Sequence, residues 1–141
     1  LHEALQASFH DYAKQIVLNA QALAGRLIEL GYNIVSGGTD NHLMLVDLRP
    51  RGMNGLEAQE TLDRVAITVN KNAIPFDTEA ITKTGGIRIG TPAITTRGLR
   101  EAEMIKVADF LHQGLENRNN AEALAQLRKQ VKKKKKNFPI P

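Results

Sequence analysis

Leu5, Phe9, Tyr12, Ile16, Leu23, Leu27 and Leu30 recur at three- and four-residue steps or their sum, with Ala13 and Ala20 filling the same stripe. This is the period of an amphipathic helix, and it predicts one over about residues 2–30. Gly31 follows where a left-handed cap is commonly needed. At ~1.5 Å per residue such a helix is about 43 Å long, more than a compact domain of this size requires, so it is expected to reach across to something else.

Residues 42–48 are a short apolar run between the turn-rich residues 36–41 and Arg49-Pro50-Arg51-Gly52, the pattern of a buried strand. Asn54 is placed to cap a helix carrying Leu56, Leu62 and Val65. Ile67-Thr68-Val69 and Ile87-Arg88-Ile89 read as two further strands, separated by a loop that contains Pro75 and closes on Gly85-Gly86. Thr95 or Thr96 can start a helix with Met104, Val107, Ala108, Leu111 and Leu115 on one face. A last helical stretch from about residue 120 carries Leu124, Leu127 and Val131 and is expected to dissolve into the lysines. Mixed helices and strands in this order predict a two-layer α/β (α+β) arrangement, with helices over one face of a small sheet.

The 141 residues, 42% of them hydrophobic, suffice for one core, so one folding unit is expected. The charge changes the picture of the end of the chain. Seven of the 19 Lys and Arg lie between residues 128 and 136, and no acid lies beyond residue 127. Residues 1–127 therefore carry 12 basic against 15 acidic groups, a mildly acidic body with a basic tail. The expected organisation is a long helix over 1–30, a small domain over 31–127, and a partly disordered tail over 128–141. Without cysteine there is neither a disulfide framework nor a Cys-ligated metal site. No apolar run approaches the roughly 18 residues of a membrane span, and Leu1-His2-Glu3-Ala4 lacks the pattern of a signal peptide. A cytoplasmic protein without a membrane partner is the expectation. Leu1, already inside a helical pattern, suggests a piece of a longer protein.

Chemistry concentrates in two places. Arg88 stands in the middle of a short strand, flanked by Ile87 and Ile89 and bracketed by glycines. A guanidinium fork there suits a planar anion, a carboxylate or a phosphate; pointing to solvent, or pairing with an internal acid, is the competing reading. Asn70-Lys71-Asn72 leaves a strand for a loop, and side-chain amides offer both a donor and an acceptor to a heterocycle edge. Ordinary turn chemistry is the alternative there. His2, His10 and His112 are too scattered on predicted helices to suggest a metal site.

Residues 36–43 (Ser-Gly-Gly-Thr-Asp-Asn-His-Leu), 68–75 (Thr-Val-Asn-Lys-Asn-Ala-Ile-Pro) and 86–93 (Gly-Ile-Arg-Ile-Gly-Thr-Pro-Ala) are similar to three consecutive signature segments of the serine hydroxymethyltransferases. They stand in that family's order and near its spacing, and with the intervening helices the likeness covers about residues 1–125. The resemblance implies the small C-terminal domain of a fold-type-I, aspartate-aminotransferase-like pyridoxal-phosphate enzyme, with a short, mainly antiparallel sheet and a first helix linking it to a large domain. It implies interconversion of serine and glycine with tetrahydrofolate and 5,10-methylenetetrahydrofolate, in a homo-oligomer, dimer or tetramer. By the same resemblance Arg88 binds the carboxylate of serine or glycine, which orients the amino acid for cleavage at Cα, and Asn72 contacts the pteridine of the folate. The loop from Asp77 to Ile81 lies in the region associated with the rest of the folate, but departs in detail from the family, so no single ligand is assigned in it.

The family's cofactor lysine sits in a Thr-rich segment followed by His-Lys, and no such segment occurs here; Lys71 and Lys83 lack that context. The Schiff-base lysine, its acid partner and the ring-stacking histidine are therefore expected in a preceding large domain absent from this chain. No catalytic or cofactor-binding residue is expected in this piece, which alone should be inactive. For Asp40 and His42 the resemblance implies no definite role. A nucleic-acid-binding module acting through Lys132 to Lys136 is the less favoured alternative, since no aromatic platform accompanies the lysines. A different fold-type-I enzyme is a third reading, against which the Asn-Lys-Asn and Gly-Gly-Thr-Asp-Asn-His segments weigh.

Overall fold

The computed structural model describes residues 2–35, 43–90 and 100–137. The first helix, α1 (His2–Glu29), ends in a Schellman cap. Gly31, at φ +93°, lets the Tyr32 amide reach the Leu27 carbonyl at 2.9 Å and the Gly31 amide reach the Ile28 carbonyl at 3.0 Å. The C-terminal half of α1 buries Ala20, Leu23 and Leu27, as the stripe predicts, and Ala24 beside them, whereas Ile16 and Leu30 are half-buried and Ala13 is exposed. The side chains of Leu5, Phe9 and Tyr12 lie outside what is described.

After α1 come β1 (Asn33–Ile34) and β2 (Leu43–Asp47), a 3-10 turn over Arg49–Arg51, and α2 (Gly55–Arg64). The Asn54 side chain accepts from the Glu57 amide at 2.8 Å, the expected cap. Asn54→Ala should therefore cost about 1 kcal/mol of stability, readable in urea unfolding as a lower midpoint at unchanged slope. Then follow β3 (Asn70–Asn72), β4 (Gly86–Gly90), α3 (Glu101–Glu116) and α4 (Ala121–Asn137). The Thr95 or Thr96 helix start lies outside the described residues; α3 is described from Glu101, and Glu103 reaches back to the Arg100 amide at 3.3 Å.

The four strands form one antiparallel sheet in the order β1-β2-β4-β3. Met44, Val46, Ile87 and Ile89 on one sheet face join Leu23, Leu27, Leu62, Met104, Leu111, Leu115, Leu124 and Leu127 from the helices in a single core. This is the two-layer, mainly antiparallel α/β fold that the sequence predicts. Each such side chain contributes roughly 1.5–3 kcal/mol by leaving water.

Three elements depart from the sequence reading. No strand is expected between the first helix and residues 42–48, yet Asn33 and Ile34 pair with Asp47 and Val46 as β1. The strand expected at residues 67–69 begins later, at Asn70. Helix α2 closes in a second Schellman cap, with Ala66 at φ +65° and the Ile67 amide bonded to the Leu62 carbonyl at 2.9 Å. That amide is spent on the helix, so sheet pairing waits until the chain has turned. The last helix, in turn, does not dissolve at the lysines but runs through them to Asn137. Lysine is a fair helix former, cations complement a helix C-terminus, and buried Val131 ties the helix to the core.

Candidate functional site

The sheet register decides which side chains meet. Val46 pairs with Ile87 and Met44 with Ile89, all in the core, so the alternate residues turn to the face away from the helices. On that face Leu45, Arg88 and Asn70 form one cross-strand row, because Leu45 pairs with Arg88 and Arg88 with Asn70. Asn33, Asp47, Gly86 and Asn72 form the next. Arg88 and Asn72, the two residues singled out in the sequence, thus share one face as diagonal neighbours, roughly 7–8 Å apart. Lys71 between Asn70 and Asn72 turns to the other face, its amide bonded to Gln59 Oε1 of α2 at 2.8 Å.

Arg88 is exposed, although it sits mid-strand with paired strands on both sides. Among the described residues no acid pairs with it, so the internal-partner reading finds no support there. Its backbone is fixed by the ladder, and its exposure fits both a fork offered to an anion and the solvent-pointing reading. Asn72 is half-buried at the end of the edge strand, its Nδ2 donating to the Ala73 carbonyl at 2.7 Å. Sequence reading put Asn70-Lys71-Asn72 at the exit of a strand; the three residues are themselves the strand.

Residues 73–85 join Asn72 to the strand of Arg88, and their organising groups were not singled out as a network in the sequence. The Asp77 carboxylate accepts from the amides of Glu79 at 2.8 Å, Gly85 at 2.7 Å and Ile74 at 3.2 Å. Those amides, the Glu79 amide foremost, hold the Asp77 carboxyl below the usual carboxylate range. Arg49 forks the buried Asp47, Nε to Oδ1 and Nη2 to Oδ2, both at 3.1 Å. Its remaining nitrogen, Nη1, reaches the Phe76 carbonyl at 3.1 Å and Thr78 Oγ1 at 3.2 Å. The signal was present in the sequence as an acid ending an apolar strand two residues before an arginine. At the loop's outer edge Phe76 and Ile81 are 96% and 93% exposed.

Asp40 and His42, with the rest of residues 36–42, lie outside the described residues, as do residues 91–99. His112 is half-buried on α3, its Nδ1 2.9 Å from the Tyr32 hydroxyl, a structural hydrogen bond. Burial pushes the Tyr32 phenol up to about 12. Among the described residues no three His, Asp or Glu side chains stand close enough to hold a metal ion, and no helix is long and apolar enough to cross a membrane.

The serine hydroxymethyltransferase family model matches residues 1–111. The chain is 53% identical over 138 residues to a serine hydroxymethyltransferase of Myxococcus xanthus (strain DK1622), covering 98% of this chain and 33% of the relative. It is 52% identical over 138 residues to one of Acidobacterium capsulatum, covering 98% of this chain and 32% of the relative. The chain thus spans about a third of the length of the curated relatives it matches. A family match over most of the chain, and half of all residues shared across nearly its full length, place this protein in the serine hydroxymethyltransferase family.

Proposed function

We propose that this chain is the C-terminal part of a serine hydroxymethyltransferase, an enzyme that interconverts serine and glycine with tetrahydrofolate, and that it supplies the substrate-carboxylate arginine and a folate contact. The observation that carries the reading is Arg88, its backbone held between two paired strands, its side chain exposed and on the same face as Asn72. Arg88 grips the carboxylate of serine or glycine with two parallel hydrogen bonds, and so fixes the orientation of the bonds at Cα. Asn72, a diagonal step away, offers its amide to the edge of the pteridine.

Residues 1–30 then form the link to a large domain, 31–127 the small domain, and 128–141 a basic extension. The relatives' threefold greater length leaves room for that large domain. Pyridoxal phosphate, which the family name implies, finds no cradle among the residues described. Lys71 Nζ donates to the Thr82 carbonyl at 2.6 Å, and Lys71 faces away from Arg88, so it does not fit the role of the lysine that would hold the cofactor. The large domain holds the cofactor in this reading, the isolated chain is inactive, and the whole protein is a cytoplasmic dimer or tetramer. Family membership lends no support to nucleic-acid binding through the lysine run.

The test is Asn72→Ala in the complete enzyme. The folate-dependent reaction should lose about tenfold in kcat/KM, the effect of one hydrogen-bonding group whose partner is left unsatisfied. Folate-independent cleavage of a β-hydroxy amino acid should lose less. Equal losses in both reactions would leave Asn72 a structural residue.

A further inference from the structure

Arg88 and Asn72 are held in place by different means. Arg88 lies in β4, between β2 on one side and β3 on the other, so the ladder fixes it from both flanks. Asn72 is the last residue of a three-residue edge strand, and its ladder partner Gly86 has no side chain to pack against it. What lies beyond Asn72 must therefore decide where its amide points. The ladder between β3 and β4 ends there, and the Asp77 carboxylate takes over. Its Oδ2 accepts from Ile74, two residues after Asn72, and from Gly85, one residue before Gly86. A single carboxylate oxygen thus ties the two chains together where the backbone ladder stops.

The far side of the same loop is held by Arg49. Its fork is oriented by Asp47, which lies in the same cross-strand row as Asn72 with only Gly86 between them. Its third nitrogen pins the Phe76 carbonyl and the Thr78 hydroxyl, the residues on either side of Asp77. Phe76 adopts φ +57°, a left-handed conformation that side chains other than glycine rarely take, and such a conformation persists where surrounding contacts impose it. The fit is close: a Cβ on Gly85 would stand 2.8 Å from Asp77 Oδ1 and 3.0 Å from Arg49 Cδ.

We propose that Arg49 and Asp77 are positioning residues for the folate subsite, holding residues 73–85 in the shape that keeps Asn72 beside Arg88. The inference rests on the folate reading of Asn72 given above. It assigns the pair to folate affinity rather than to amino-acid affinity, because the ladder positions Arg88 without help from the loop.

Arg49→Lys in the complete enzyme is the variant of choice. It keeps a cation against buried Asp47, but one ammonium cannot reproduce the fork and also reach the loop. The KM for tetrahydrofolate should rise about tenfold, the scale of a lost charge-assisted hydrogen bond, while the KM for serine and the rate of folate-independent cleavage change by less than about twofold. Equal changes in the two KM values, or an unmoved folate KM, would overturn the proposal. Asn72→Ala measured alongside separates the two levels. If Asn72→Ala raises the folate KM and Arg49→Lys does not, the positioning role alone is lost. If neither variant moves it, the folate reading and the proposal fall together. Should Arg49→Lys not fold, Thr78→Val removes only the hydroxyl end of the contact and should still raise the folate KM by about threefold; an unmoved value there would overturn the proposal as well.

Discussion

Arg88→Lys in the complete enzyme is expected to raise the KM for serine by about 10- to 100-fold while leaving the affinity for pyridoxal phosphate near that of the parent. A carboxylate on a guanidinium fork receives two parallel charge-assisted hydrogen bonds, each contributing about 1.5–3 kcal/mol. Lysine can supply one of them, from a flexible stem and without a fixed plane, so the second is lost together with the orientation it imposed. Arg88→Ala loses both, a drop of about 10²- to 10⁴-fold in kcat/KM for the amino acid. Neither change should unfold the sheet, since the Arg88 side chain is exposed and has no internal acid partner among the described residues. Serine and glycine titrations of the two variants, followed beside cofactor retention, check the point. Unchanged serine kinetics would remove Arg88 from the site.

The parts of this fold legible in the sequence are those set by local chemistry with a strong period. The stripe of α1 with its Gly31 cap, the Asn54 cap of α2, and the apolar faces of α3 and α4 all follow from spacing and cap residues within a few positions of each other. What was not legible depended on which of several competing partners the chain takes up on folding. Ile67 to Val69 have every mark of a strand, yet the Ile67 amide is taken by the α2 cap, and Asn70 to Asn72, polar and with poor strand propensity, pair instead because β4 offers them a register. The lysine run reads as a tail by composition, while Val131 and the helix dipole favour a helix to Asn137. Of the candidate site, Arg88 and the segment Asn70-Lys71-Asn72 stand out by residue type, and the family resemblance narrows the second to Asn72. Asp47, Arg49 and Asp77 do not stand out, because an acid or an arginine beside a turn is common, and only the folded loop reveals that three backbone amides converge on Asp77.

Gly86, which precedes Ile87 and Arg88 in β4, has a steric reason, and Gly86→Ala should expose it. A Cβ at Gly86 would lie 2.4 Å from the Val46 carbonyl oxygen and 2.8 Å from Ile74 Cγ2. The first of these atoms belongs to the backbone of the neighbouring strand and cannot rotate away, so β4 must separate from β2 or the register must distort. Helix α2 adds to the congestion. Gly55, its first residue, packs so closely that its own Cβ would meet the Gly86 carbonyl oxygen at 2.2 Å, while the Gly55 amide bonds the Thr84 carbonyl at 2.9 Å. Thr84 is itself held at φ +60°, with its hydroxyl donating to the Gly86 carbonyl at 3.0 Å. Strand and helix therefore meet at Gly86 with no slack on either side. Overpacking of this kind costs about 3 kcal/mol, roughly 10 °C in Tm for a chain of this length. Because Arg88 is two residues further on in the same strand, the substitution should also raise the KM for serine, an effect that Asn54→Ala, which weakens only the cap of α2, should not produce. Thermal unfolding of this chain and serine kinetics of the complete enzyme, each carrying Gly86→Ala, decide the matter: a Tm of the chain within about 2 °C of its parent, less than 1 kcal/mol at this size, would mean that β4 has room the packing denies it.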